Sequence, residues 1–192
     1  MSRYSLVQQA HALIAEVLQP GDCAIDATLG NGHDTLFLAR CVGLGGKVFG
    51  FDIQQAALDA TWQRVDEAGL SAALSLYHAG HELLHMLVPE PYHGRVRAVM
   101  FNLGYLPGGD KLHITHIPTT LAALNGAAQL LQEGGRISVL AYTGHAGGRE
   151  EAESVKAWAR ALSPVSFSVR IETLPGASTS APELIVIERL QR

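Results

Sequence analysis

The chain has 192 residues, 47% hydrophobic and 17% charged, a composition that builds one cored domain over 1–192 and excludes a disordered chain. Its net charge is −4 and its pI about 6.1, so the surface as a whole does not attract polyanions, and any nucleic-acid contact needs a local basic patch. Cys23 and Cys41 do not make a disulfide framework and read as packing in a reducing compartment. With no signal-peptide pattern and no stretch near the ~20 apolar residues that span a bilayer, the sequence predicts a cytoplasmic protein with no membrane partner.

Leu6, Ala10, Leu13, Ile14 and Val17 fall on one face of a first helix, which Pro20-Gly21-Asp22 ends. Cys23–Ala27 is a short buried strand, 34–42 a helix, 47–51 a strand and 54–68 a helix stopped by Gly69. A short strand follows at 74–77, a short helix at 82–87 and a strand at 96–101. A glycine-rich loop covers 104–111, and a helix runs from Pro118 to about Leu131, broken by Gly134-Gly135. The next strand is 136–141 and the next helix 149–162, and strands at 165–171 and 184–188 close the chain with only a loop between them. Strands alternating with helices imply a seven-stranded, mostly parallel α/β sheet covered by helices on both faces. The two closing strands predict a C-terminal antiparallel hairpin, the feature that separates Rossmann-like class I methyltransferases from nicotinamide dehydrogenases.

The first strand runs into Asp26-Ala27-Thr28-Leu29-Gly30-Asn31-Gly32-His33-Asp34-Thr35. Glycines there permit a tight strand-to-helix turn and close backbone approach by a ligand, next to the free N–H groups of a helix start. Asp52 lies 20 residues beyond Gly32, at a strand end where a carboxylate accepts both ribose hydroxyls, although it could instead only cap the following helix. The dinucleotide pattern asks for glycine where Thr35 stands, and the chain leaves no room for a second substrate domain, so the cofactor expected is S-adenosyl-L-methionine rather than NAD. The loop holding Gly80 and His81 follows the third strand and would border the adenine. The nine histidines raise the question of a metal, but there is no His-Glu-x-x-His motif and no cysteine pair, so none is expected.

Asn102 ends the fourth strand, on the side where ligands of such sheets bind. With the turn and Tyr105 that follow, it is similar to the Asn-Pro-Pro-Tyr motif of amino-methyltransferases, whose Asn oxygen accepts from the substrate amine while the aromatic stacks on the base. An amine must lose its proton to act. With lysine's pKa of about 10.4 as the limit, only roughly one molecule in 2,500 is neutral at pH 7, a cost of about 4.6 kcal/mol. His113, His116 and His145 follow strands four and five and are candidate general bases.

Three segments, D-A-T-L-G-N-G-H-D-T-L-F-L-A, F-N-L-G-Y-L-P-G-G-D-K and Y-T-G-H-A-G-G-R-E-E, lie in order along the chain. They resemble the family of tRNA 5-aminomethyl-2-thiouridine methyltransferases, formerly labelled rRNA methylases, over nearly the whole chain from Leu6 to Glu188. The resemblance implies S-adenosyl-L-methionine, a Rossmann-like fold, a homodimer, and methylation of the aminomethyl group on the wobble uridine within the tRNA anticodon stem-loop. It implies that Asn31, Asp34, Asp52, Gln54, Gly80 and His81 hold the cofactor and that Asn102 and its loop serve methyl transfer. With the neighbouring Asp26, Thr28, Gly30, Gly32 and Thr35, these form the expected cofactor site; Asn102, Tyr105, His116 and His145 form the expected catalytic set. One departure is Ser178-Thr179-Ser180-Ala181-Pro182, with a single proline where the family carries an Asn and a Pro-Pro pair. Phosphate contacts would fall to Lys111, Arg136, Arg149, Lys156 and Arg160. A small-molecule or rRNA methyltransferase, and a non-enzymatic nucleotide-binding protein, remain the alternatives.

Overall fold

The computed structural model describes residues 5–104, 115–173 and 181–191. Tyr105, Lys111, His113 and the 178–180 part of the divergent loop lie outside the described residues.

Ser5 starts α1 (Leu6–Ala15) with a capping box, its hydroxyl accepting from Gln8 N–H while the Gln8 side chain accepts from Ser5 N–H. Strands and helices then alternate: β1 (Cys23–Asp26), α2 (His33–Val42), β2 (Lys47–Asp52), α3 (Gln55–Asp66), β3 (Leu74–His78), α4 (Leu84–Leu87), β4 (Val96–Leu103), α5 (Ile117–Leu130), β5 (Leu131–Ala141) and α6 (Gly148–Ala161). The hairpin strands β6 (Phe167–Glu172) and β7 (Glu183–Arg189) follow.

The strands form one seven-stranded sheet in the order β3-β2-β1-β4-β5-β7-β6. Pairing is parallel from β3 to β5, and β7 is antiparallel to both β5 and β6. This is the predicted architecture, closing hairpin included.

Side-chain alternation divides the core between the two faces. Ile25, Val99, Phe101, Ile185 and Ile187 pack toward Leu124, Ala127 and Leu130 of α5 and Ala152 and Val155 of α6. Their sequence neighbours Ala24, Ala98, Met100, Leu184 and Val186 pack toward Leu6, Ala10 and Ile14 of α1 and Leu38 and Val42 of α2. Cys23 is buried and unpaired with another cysteine, and burial pushes its thiol up to about 12, so it is packing rather than chemistry.

β5 departs from expectation. Gly134-Gly135 does not break a helix: α5 has already ended at Leu130, and the strand begins at Leu131, five residues before the predicted start at Arg136. Leu131 pairs with Val96 and Arg136 with Ala98, so the register shifts between the two contacts. Gly134 takes φ +72° to carry that bulge. Glycines that read as a helix stop are therefore a strand irregularity.

The order of strand addition reverses at β1: β2 and β3 lie to one side, and β4 lies on the other. At that reversal, the carboxyl ends of β1 and β4 are where a sheet of this kind binds its ligand.

Candidate active site

Asp26, Asp52 and Asn102 stand at the carboxyl ends of β1, β2 and β4. The glycine turn after β1 is tied to both neighbouring strands. Leu29 N–H donates to the Phe51 carbonyl of β2 at 3.1 Å, and the Thr28 hydroxyl accepts from the Asn102 N–H of β4 at 2.8 Å. Gly32 takes φ +75°, and a Cβ there would lie 2.7 Å from Thr61 Cα, so glycine is needed both for the turn and for the approach of α3.

Asp52 is not the helix cap it might be taken for: Gln54 holds that position in front of α3. The Asp52 carboxylate accepts from Gln54 N–H at 2.9 Å and, from the turn after β1, Gly30 N–H at 3.1 Å. It is half-buried and keeps further lone pairs for a ligand. Asn31 is exposed and lends its carbonyl to Arg64 at 2.7 Å.

Asp26 is fully buried. Its carboxylate accepts from Thr35 hydroxyl at 2.5 Å and Thr28 N–H at 3.1 Å. Burial, and next the negative charge of Asp34, push it up to about 7 against the two hydrogen bonds that favour ionisation. Thr35 is fully buried too, so its side chain and that of Asp26 brace the wall behind the turn.

Asp34 is 7% exposed in the first turn of α2. One carboxylate oxygen accepts from Asn102 Nδ2 at 2.5 Å, and the other meets His11 Nε2 at 2.6 Å. Tyr142, just past β5, senses the same carboxylate: burial and then Asp34 raise its phenol pKa. Asn102 thus has its amide nitrogen on Asp34 and its backbone N–H on Thr28, and Oδ1 is its uncommitted acceptor among the described residues.

Gly104 and Thr115, on either side of residues 105–114, are clasped together. Thr115 N–H donates to the Gly104 carbonyl and its hydroxyl accepts from Gly104 N–H, both at 3.0 Å. Glu151 of α6, 3% exposed, accepts from Thr115 and Thr120 hydroxyls at 2.7 and 2.6 Å. A cleft of about 250 Å³ opens beside this clasp, lined by Thr115, His116, Ile117, Pro118, Gly147 and Glu151.

His116 is exposed at the N-cap position of α5. His145 is half-buried with its ring under Gly148, where a Cβ would lie 2.4 Å from it, and near Gly104, where a Cβ would lie 3.7 Å away. Of the two, His145 is the one packed beside the end of β4. Gly80 precedes the 3₁₀ turn 81–83, and a Cβ there would meet the Glu82 carboxylate at 2.3 Å. His81 is 8% exposed, its ring edge-on to Phe101 at 5.9 Å, and burial lowers its pKa despite Glu82 and Glu151 nearby. His81 is thus packing against Phe101 of β4 rather than a charged group.

Two of the proposed phosphate contacts are corrected. Arg136 is 8% exposed and held by Glu16 at 2.7 Å, Glu188 at 3.0 Å and the Leu13 carbonyl at 2.6 Å. Lys156, also 8% exposed, is held by Glu153 at 2.8 Å and Glu183 at 2.7 Å. Both cations are spent inside the fold, whereas Arg149 and Arg160 are exposed. Among the described residues, no three His, Cys, Asp or Glu side chains converge as metal ligands, and no helix is long and apolar enough to cross a membrane.

Sequence reasoning missed His11, Thr115 and Glu151. Their contacts span 23 and 36 residues, and no local pattern announces them.

A parallel sheet that turns back at β1 and ends in the antiparallel pair β7–β6 is the class I methyltransferase form of the Rossmann-like fold. Residues 48–188 match the family described as "Putative rRNA methylase", and the chain belongs to that family. It is 45% identical over 172 residues to an Arabidopsis thaliana protein named tRNA (mnm(5)s(2)U34)-methyltransferase, chloroplastic, covering 85% of this chain and 62% of that one. The chain thus spans less than two thirds of that relative's length. A Clostridium thermocellum protein of the same family description superposes with a TM-score of 0.93 at 37% identity, covering 99% of this chain and 100% of that one. A Streptococcus mutans protein described as "a putative methyltransferase" and crystallised in complex with SAH gives a TM-score of 0.87 at 32% identity, covering 98% of this chain and 100% of that one.

Proposed function

We propose that the protein is an S-adenosyl-L-methionine-dependent N-methyltransferase that acts on the aminomethyl group of 5-aminomethyl-2-thiouridine at the tRNA wobble position. The observation that carries this reading is Asn102: its amide nitrogen is fixed on Asp34 and its backbone on Thr28, which leaves a carboxamide oxygen as acceptor at the end of β4. The name of the Arabidopsis relative supports the substrate, and the SAH-bound Streptococcus relative supports the cofactor.

The residues present fit that cofactor. The turn through Gly30 and Gly32 lets backbone approach a nucleoside, while Asp52 and Gln54 stand where ribose hydroxyls would be met. Asp34 and Asp52 gather negative potential at one end of the sheet, which suits a cationic ligand. When bound, S-adenosyl-L-methionine supplies an activated methyl group on a positively charged sulfur.

This chain's own residues do the rest. Asn102 Oδ1 accepts an N–H of the neutral acceptor amine and so aims its lone pair. The Gly104–Thr115 clasp, locked by Glu151, fixes the two ends of the loop that follows Asn102. In this reading His145, packed beside Gly104, takes the amine proton, and exposed His116 is the alternative base.

We extend the proposal to a cytoplasmic homodimer of single-domain chains. The support is electrostatic: with Arg136 and Lys156 neutralised, an acidic chain gains a wider basic surface for an anticodon stem-loop by pairing. The same ion pairs favour a second reading, a small-molecule methyltransferase that ignores RNA. Incubation with labelled S-adenosyl-L-methionine and undermodified tRNA, followed by nucleoside mass spectrometry, separates the two.

A further inference from the structure

Helix α1 lies apart from the loops at the strand ends, yet one of its side chains reaches the site. His11 Nε2 is 2.6 Å from one oxygen of Asp34, whose other oxygen takes Asn102 Nδ2 at 2.5 Å. A carboxylate only accepts, so both partners donate. The imidazole therefore carries its hydrogen on Nε2, and the carboxamide turns its nitrogen toward Asp34. The His11 ring is itself fixed, stacked on Phe37 with centroids 4.0 Å apart and planes within 2°.

The last torsion of an Asp side chain is broad. With Asn102 as its one partner, the Asp34 carboxylate could turn and carry the carboxamide with it. A second, charge-assisted bond from a stacked imidazole removes that freedom.

We propose that His11 is a positioning residue for methyl transfer, holding Asp34 so that Asp34 holds Asn102 with its carboxamide oxygen toward the acceptor amine. This rests on the reading of Asn102 given above and adds helix α1 to the machinery.

The test uses the full chain with His11→Phe, which keeps the stack on Phe37 and loses the donor, and His11→Gln, whose side-chain N–H reaches about as far as Nε2. His11→Leu replaces the Phe variant if that one does not fold. Three quantities are read: kcat and KM on undermodified tRNA, SAH affinity by calorimetry, and the Asn102 side-chain amide resonances by NMR. His11→Phe is expected to lose about 10–100-fold in kcat, as small misplacements do, with SAH affinity unchanged and the Asn102 amide resonances shifted. His11→Gln recovers most of the loss. A merely structural role would lower Tm without separating kcat from KM and would show no such rescue. A kcat for His11→Phe within twofold of wild type overturns the inference, as does a Gln variant as slow as the Phe variant. If wild-type protein leaves tRNA unmethylated, the proposed function fails by itself. The Asn102 amide then decides: shifted resonances in His11→Phe sustain the positioning role, and unchanged ones overturn it.

Discussion

Replacing Asp26 by Asn should stabilise the protein, and increasingly so as pH rises. Asp26 is fully buried behind the glycine turn, and burial together with the charges of Asp34 and Asp52 raises its pKa from 3.8 to about 7. The unfolded chain releases this proton near the ordinary value, whereas the folded chain holds it to about 7. Between those limits the folded state binds more protons, so stability is greatest below the unfolded pKa, falls as pH rises through the window, and reaches its full loss above about pH 7. At about 1.36 kcal/mol per pH unit, the ionised carboxylate costs at most about 4 kcal/mol. An Asn at the same place keeps an acceptor for Thr28 N–H and a donor for the Thr35 hydroxyl, and it does not titrate. Urea unfolding of both proteins at several pH values between 4 and 8 measures the difference directly. The Asn variant should match wild type or fall slightly below it at the acid end and gain about 2–4 kcal/mol by pH 8. Curves that run parallel across the range would refute the assignment of a raised pKa to Asp26.

Asn102→Ala should lose about 100–1,000-fold in kcat, the usual scale for one preorganised hydrogen-bonding group, while calorimetry finds SAH binding within a few-fold of wild type; near-normal turnover contradicts its role. Asp52→Ala should weaken SAH binding by about 10–100-fold, since hydrogen bonds to a charged group are worth about 1.5–3 kcal/mol, and unchanged affinity on titration contradicts the ribose assignment. Gly32→Ala should destabilise by about 2–4 kcal/mol, combining a left-handed backbone with overpacking on Thr61, and thermal melting checks it.

The sheet was legible in the sequence because its central strands are buried on both faces and read as short apolar runs such as V-R-A-V-M-F before Asn102. Misreading the start of β5 follows from the double meaning of glycine: Gly134-Gly135 looks the same as a helix stop and as a strand bulge. Asn102, Asp52 and the glycine turn stood out because strand ends concentrate function in such sheets. Whether Asp52 capped a helix or tied β2 to the glycine turn after β1 could be decided only by Gly30 N–H, 22 residues away. The same limit hid His11, one polar residue beside Gln8 and Gln9 on an amphipathic helix, and it made Arg136 look available. Its partners Glu16 and Glu188 lie 120 and 52 residues distant, and only the folded chain brings the three together.

The central claim is methyl transfer to the wobble aminomethyl group, and one measurement meets it head on. Purified protein is incubated with labelled S-adenosyl-L-methionine and tRNA from cells that stop at 5-aminomethyl-2-thiouridine, and the nucleosides are then resolved by mass spectrometry. One labelled methyl group should appear on that nucleoside and be lost in Asn102→Ala, with no label on rRNA or a small amine offered in parallel. Label on rRNA or a small amine with none on tRNA would contradict the claim.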